Sequence, residues 1–283
     1  MTSLAQWQQQ GQTFTFKGHD IFYLTLGDKQ KPPLVLIHGF PTCSWDWAKI
    51  TPALSEHFYL ITLDMLGFGF SDKPKQDYSI FEQADIFEAL LNKLDIKHYH
   101  LLAHDYGDTV AQELLARHHQ SGNIGSVIFS NGGLFPETHH PVLLQKLLLS
   151  PIGFILSKLV RYEKFKKNFD VICAKKLPED ELKAYWQMLE HKGGVLIMHK
   201  LIAYMTERKE NRERWVGVMQ QTQVPMLLID GLLDPISGAH MVKRYEELIP
   251  NTQVVKLEDT GHYPQVESPA AFSSAALAFL LAH

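Results

Sequence analysis

The sequence predicts an α/β fold in which a mostly parallel sheet carries helices on both faces and is interrupted by a helical insertion. Three observations predict it. Short apolar runs recur, each followed by turn residues and then a helical pattern, the rhythm that builds parallel sheets. Between about Leu134 and Trp215 that rhythm stops and only helical patterns remain. Those roughly 80 residues exceed one crossover connection, so they read as a cap laid over the sheet. Finally, 283 residues suit one core with an insertion, and such a chain buries roughly three quarters of its unfolded surface. The expected division is a core of 1–133 and 216–283 and a cap of 134–215.

Thr13 to Lys17 and Asp20 to Leu26 read as an opening hairpin. Leu34 to Ile37 and Phe58 to Leu63 are short buried strands. A helix is expected from about Ser79, where Ser79 and Glu82 have capping-box spacing. Tyr99 to Ala103 is the next strand, followed by a helix from about Tyr106 to His119. Ile124 to Ser130, Met226 to Ile229 and Gln253 to Leu257 complete the strands. The last helix opens with Ser268 as its cap and Pro269 in its first position and runs to about Ala282.

Composition narrows the function classes. A net charge of -4 gives no global basic field for nucleic acid. The start, MTSLAQWQQQ, lacks the basic and apolar regions of a signal peptide. The densest apolar stretch, Pro141 to Val160, is broken by Gln145, Lys146, Pro151, Gly153 and Lys158, so no membrane span is expected. Cys43 and Cys173 suggest no disulfide framework, and a cytoplasmic location is expected. His98 and His100 alternate on a strand, while His118–His119 and His139–His140 are adjacent pairs; none has metal-site spacing, and no metal is expected. The cap holds 15 Lys+Arg and 10 Asp+Glu, about +5, against about -9 elsewhere. Lys164, Lys166, Lys167 and the stretch Arg208 to Arg214 could meet an anionic membrane. Glu207, Glu210 and Glu213 interleave that stretch, so a solvated helix face is the expected reading.

The chemistry gathers at strand ends. Leu101 to Gly107 (LLAHDYG) is an apolar strand, a small-x-acid-x-Gly turn and the start of a helix, the setting of a nucleophile elbow. Its central residue is Asp105, and Ala103 stands where the first glycine of the motif is usual. An aspartate there is also a common helix cap, so its partners decide. A carboxylate nucleophile forms an ester that water must hydrolyse, which calls for a histidine base and a group to orient it. Asp234 follows one predicted strand in DGLLDP, and His262 follows the next in EDTGHYP, both at carboxyl ends of strands. An oxyanion needs two backbone N–H donors, expected from Tyr106 and from Phe40 in the loop His38–Gly39–Phe40–Pro41. His38 is expected to line the substrate site.

His38–Gly39–Phe40–Pro41, the run from Asp64 to Asp72 (DMLGFGFSD), His104–Asp105–Tyr106–Gly107, Asp234 and Gly261–His262 together resemble the epoxide hydrolase and haloalkane dehalogenase branch of the α/β-hydrolases. The resemblance spans nearly the whole chain. Within it, Ser130 to His139 (SNGGLFPETH), Leu143 to Leu148 (LLQKLL) and Arg214 to Gly217 (RWVG) look like the mesoderm-specific transcript subgroup. The resemblance implies an eight-stranded sheet, a helical cap, no cofactor, Asp105 as nucleophile, His262 as base and Asp234 as its orienter. It implies a small apolar organic substrate, with water as the second reactant.

The two branch chemistries differ in how the leaving group is held. Dehalogenases cradle a halide with N–H donors, typically a Trp after the nucleophile and an Asn in the HGxP loop; here those positions hold Tyr106 and Phe40. Epoxide hydrolases offer two cap tyrosines to the ring oxygen. The cap has Tyr162, Tyr185 and Tyr204; Tyr204, in LIAYMTER, best resembles the second family tyrosine, and Tyr185 is assigned to the other by order. The expected function is epoxide opening to a diol, with dehalogenation and a non-catalytic scaffold as the rivals.

Overall fold

The computed structural model describes residues 2–283. Its strands are β1 (Gln12–Phe16), β2 (His19–Leu26), β3 (Pro33–Ile37), β4 (Tyr59–Leu63), β5 (Tyr99–Ala103), β6 (Ile124–Phe129), β7 (Met226–Gly231) and β8 (Val254–Leu257). They form one sheet in the order β1-β2-β4-β3-β5-β6-β7-β8. The pairs β1–β2 and β2–β4 are antiparallel, and every pairing from β4 through β3 to β8 is parallel. The order reverses between β3 and β5, so the loops after those two strands face each other across a switch point.

The central strands are mostly apolar because both of their faces are covered. Successive residues feed opposite cores. Val35, Ile37, Leu101, Ala103, Val127 and Phe129 join the larger core. Leu34, Leu36, Leu102 and Ile128 join the smaller one.

The longer helices are α1 (Leu4–Gln10), α2 (Ile80–Lys93), α3 (Tyr106–His118), the cap helices α4 (Leu143–Leu148), α5 (Gly153–Ser157), α6 (Tyr162–Ile172), α7 (Glu179–Glu190) and α8 (Tyr204–Glu210), then α9 (Arg212–Gln221), α10 (Ala239–Leu248) and α11 (Pro269–Leu280). Helix α9 crosses the expected cap boundary at Trp215 and is fastened to the core. The buried carboxylate of Glu113 on α3 accepts from Trp215 Nε1 at 2.8 Å and from Arg214 Nε at 2.7 Å. No helix among the described residues is long and apolar enough to cross a membrane.

Two expected caps are built differently. The Ser79 hydroxyl accepts from the Phe81 N–H at 3.1 Å, but Glu82 does not close the box. Glu207 of α8 reaches across instead, accepting from Ser79 Oγ at 2.6 Å and from the Ile80 N–H at 2.8 Å. A cap helix thereby supplies the acidic end of a core helix. Ser268 precedes α11, yet its hydroxyl bonds Thr260 Oγ1 and Lys175 Nζ, both at 2.7 Å, and caps nothing. Local spacing predicted both contacts, and long-range partners took the groups.

Candidate active site

Asp105 stands at the sharp end of β5 with φ 51° and ψ -107°, a conformation rare for a residue with a side chain. Backbone bonds pin it there: its own N–H donates to Ser130 O at 3.1 Å, and the Gly107 N–H donates to His104 O at 2.8 Å. The small residues of the motif are explained by contact. A Cβ on Gly107 would fall 2.3 Å from Ile37 O, and one on Gly39 would fall 2.7 Å from Asp105 Cβ. The loop after β3 therefore lies directly against the carboxylate.

The two oxygens of Asp105 face different partners. The Phe40 N–H donates to Oδ2 at 2.9 Å, and the Tyr106 N–H, first in α3, favours the ionised carboxylate from beside it. Oδ1 points toward His262, with Nε2 at 3.8 Å. His262 Nδ1 donates to Asp234 Oδ2 at 2.7 Å. All three side chains are buried. Burial opposes the imidazolium, but Asp234 and Asp105 outweigh it and hold His262 up to about 9. Burial pushes Asp105 upward too, against the pull of His262, Arg208 and the two N–H groups. Asp234 lies below the usual carboxylate range despite its burial, because His262, the Ile236 N–H and Ser237 favour its ionised form.

Several supporting residues carried no signal in local spacing. Asn131 Nδ2 donates to Asp234 Oδ2 at 3.0 Å while its Oδ1 accepts from the Gly231 N–H at 2.8 Å, locking the acid loop to the end of β6. Ser237 Oγ donates to Asp234 Oδ2 at 2.7 Å, and the Ile236 N–H donates to Oδ1 at 2.8 Å. On the histidine side, Glu267 accepts from the N–H groups of Gly261 and Tyr263 at 3.1 and 3.0 Å, gripping the loop on both sides of His262. His104 Nε2 donates to His262 O at 2.7 Å.

Two sequence expectations are corrected. His38 does not line the substrate site. It is fully buried, its Nε2 accepts from the Met65 N–H at 3.1 Å, and its Nδ1 donates to Gly39 O at 2.9 Å, so it ties the oxyanion loop to the end of β4. Burial lowers it to about 4, consistent with a neutral ring. Tyr185 is held away from Asp105. Its ring packs on Trp45 and Phe169 at 5.1 and 5.8 Å, apart from the Tyr106–Tyr204 pair. Tyr204 lies against the elbow and the loop after β3. Its ring lies 4.7 Å from that of Tyr106 and 6.4 Å from that of Phe40, and its buried hydroxyl has no partner.

The space over His262 is narrow, about 20 Å³, and walled by Phe40, Met198, Ile236 and the cap residues Val142, Leu144 and Val160. Those last three also border an apolar groove of about 470 Å³ on the outer cap.

Comparison with known proteins agrees with this architecture. The family model described as alpha/beta hydrolase fold matches residues 32–155. The mesoderm-specific transcript protein of Mus musculus is 42% identical, over 98% of this chain and 88% of its own. LipZ of Mycobacterium tuberculosis (strain ATCC 25618 / H37Rv), designated a hydrolase with no substrate named, is 34% identical over 99% of this chain and 98% of its own. The chain belongs to the α/β-hydrolase family. Among solved structures, this α/β-hydrolase superposes on a haloalkane dehalogenase, the DbeA-M1 loop variant from Bradyrhizobium elkanii, with a TM-score of 0.82 at 21% identity, over 96% of each chain. The epoxide hydrolase CorEH gives 0.77 at 20% identity, over 96% of this chain and 98% of that one. At those identities the likeness is one of fold.

Proposed function

We propose that this hydrolase opens an epoxide to a diol through a covalent ester on Asp105. The observation that carries the reading is the division of the Asp105 carboxylate: Oδ2 in the oxyanion cradle at 2.9 Å from the Phe40 N–H, and Oδ1 toward His262. A serine enzyme keeps that cradle for its substrate's carbonyl. Here it holds the protein's own carboxyl oxygen, the atom that becomes an oxyanion when water attacks an aspartyl ester.

The steps follow from that placement. Oδ1 attacks an epoxide carbon, the ring C–O bond breaks, and the freed oxygen takes the Tyr204 proton. Ester formation neutralises Asp105, removing one of the two carboxylates that keep His262 protonated. His262 then gives its proton back to the tyrosinate and becomes a base. It takes a proton from water, the hydroxide adds to the ester carbon, and the charge on Oδ2 is met by the N–H groups of Phe40 and Tyr106. Collapse releases the diol, the remaining proton passing from the aspartyl group to the departing oxygen. Asp105 ends as a carboxylate and His262 as an imidazolium, as they began.

Tyr204 supports the epoxide over the halide. A halide needs an N–H cradle, and three of the five indole N–H groups are committed elsewhere. Trp7 donates to Ser44, Trp45 to Thr2 O and Trp215 to Glu113. Trp47 lies in the smaller core, beneath the sheet, and Trp186 packs on Phe165 and Tyr162. The test uses His262→Ala with mixed epoxides and haloalkanes and intact mass. An adduct of the whole epoxide mass supports the reading. An adduct short by the hydrogen halide makes the protein a dehalogenase, and none from a broad screen of the folded variant favours a scaffold.

A further inference from the structure

The helix that carries Tyr204 buries a second polar side chain for which the proposed reaction has no use. Arg208 lies one turn further along α8 on the same face and is 2% exposed. Its Nε donates to Thr109 Oγ1 at 2.9 Å, and Thr109 stands one turn beyond Asp105 on α3. Its guanidinium carbon sits 4.8 Å from the centre of the Tyr204 ring. Neither terminal nitrogen has a hydrogen-bond partner. Arg208 feels the Asp105 carboxylate through space, but no anion contacts its terminal nitrogens, and a buried guanidinium left without hydrogen-bonded partners there is strongly unfavourable. Asp108, whose Oδ2 also lacks a partner, is pushed well above the carboxylate range by its burial and makes no hydrogen bond to the guanidinium.

The surroundings of Arg208 point to what is missing. Beside it is a cavity of about 60 Å³ lined by Pro136, His139, Pro141, Met205, Arg208 and Lys209. That is about two water volumes, the size of a small planar anion. Both ring nitrogens of His139 are shielded from water and unpartnered, as is the Tyr204 hydroxyl. Burial and the neighbouring Arg208 lower His139 to about 3, so it offers one N–H without a second charge. Gly133 makes the room: a Cβ there would fall 2.0 Å from Arg208 Nη1 and 2.8 Å from His139 Nδ1.

We propose that Arg208 and His139 form a binding site for a carboxylate group beside the reactive centre. The terminal N–H pairs of the guanidinium match a carboxylate in forked geometry, and His139 adds a third donor. The carboxylate has two sources. It is the acid end of the molecule that Asp105 attacks, in which case the inference rests on the epoxide reading and narrows it to acid-bearing epoxides, or it is a free small acid.

Two experiments separate these. Wild-type protein is titrated with propanoate or with propanamide at constant ionic strength, following thermal unfolding. Propanoate is expected to raise Tm saturably, by roughly 2–4 °C at about five times its Kd, and propanamide is not. The response should vanish in Arg208→Gln and persist, weakened, in Arg208→Lys. Equal responses to acid and amide in the wild type overturn the site whether or not the variants fold, and so does an unchanged response in Arg208→Gln. In His262→Ala, a short epoxy acid and the matching epoxy alcohol are then compared for adduct formation. Faster alkylation by the acid, erased by Arg208→Gln, assigns the carboxylate to the substrate. Equal alkylation with retained propanoate binding assigns it to a free ligand. Adducts from neither, with propanoate binding intact, defeat the epoxide reading and leave the anion site standing.

Discussion

Replacing Tyr204 with Phe separates chemistry from packing because the structure sets the two effects in opposite directions. The Tyr204 side chain is buried and its hydroxyl has no partner. Leaving such a group unmade costs about 1–3 kcal/mol, so deleting one oxygen should stabilise the free enzyme by about 1 kcal/mol, or roughly 2–4 °C in Tm. The ring remains, so the contacts with Tyr106 and with the Arg208 guanidinium are kept. If the hydroxyl protonates the opening ring, its loss should slow alkylation of Asp105 by roughly 10²–10⁴-fold. The assay is the rate of adduct growth by intact mass in a His262→Ala background, set beside urea unfolding of the same protein. Tyr185→Phe is the comparison: its ring packs on Trp45 and Phe169 and no hydrogen bond of its hydroxyl is lost, so it should change stability by less than about 1 kcal/mol and leave alkylation within a few-fold. A Tyr204→Phe protein that alkylates at the parent rate, or that is markedly less stable, would refute the reasoning.

Other outcomes follow from contacts already described. His262 is held up to about 9 against an ordinary value near 6.5, so its contribution is full below about pH 6.5 and is lost as pH rises through 9. Urea midpoints should show a fall on the order of 3 kcal/mol across that window, absent in His262→Ala. Glu207→Gln should cost about 1–2 kcal/mol by weakening two charge-assisted bonds at the start of α2, while Glu82→Gln should cost a few tenths. Asn131→Ala withdraws one donor from Asp234 and a partner from Gly231, so the ester should persist about tenfold longer in single-turnover quench experiments, with alkylation unchanged.

Much of this fold was legible in the sequence because the central strands are short, mostly apolar runs set between turn residues. Asp105, Asp234 and His262 stood out in the sequence because each follows a predicted strand, and the structure brings the three side chains together. Beyond these, legibility failed wherever a side chain is claimed by something distant. Glu82 has the spacing of a helix cap, yet Glu207 takes the position from another layer. His38 has the look of a site residue and is a brace. Asn131 and Arg208 are the reverse, ordinary in sequence and decisive in space. Their meaning depends on how the cap is seated on the sheet, and no local periodicity records that.

The Glu207 contact has a consequence for how such a protein can change over time. Tyr204 and Arg208 share α8 with a residue bonded to α2, so the reacting side of the pocket is anchored to the core. The opposite wall is built from Val142, Leu144 and Val160, which lie in and between short helices bordering the open groove. One half of the cap is moored by hydrogen bonds of a carboxylate, and the other meets the site through apolar side chains. Mutations that resize the apolar wall leave the groups proposed for the chemistry untouched, so substrate range can drift through generations of variants while the reaction itself is conserved.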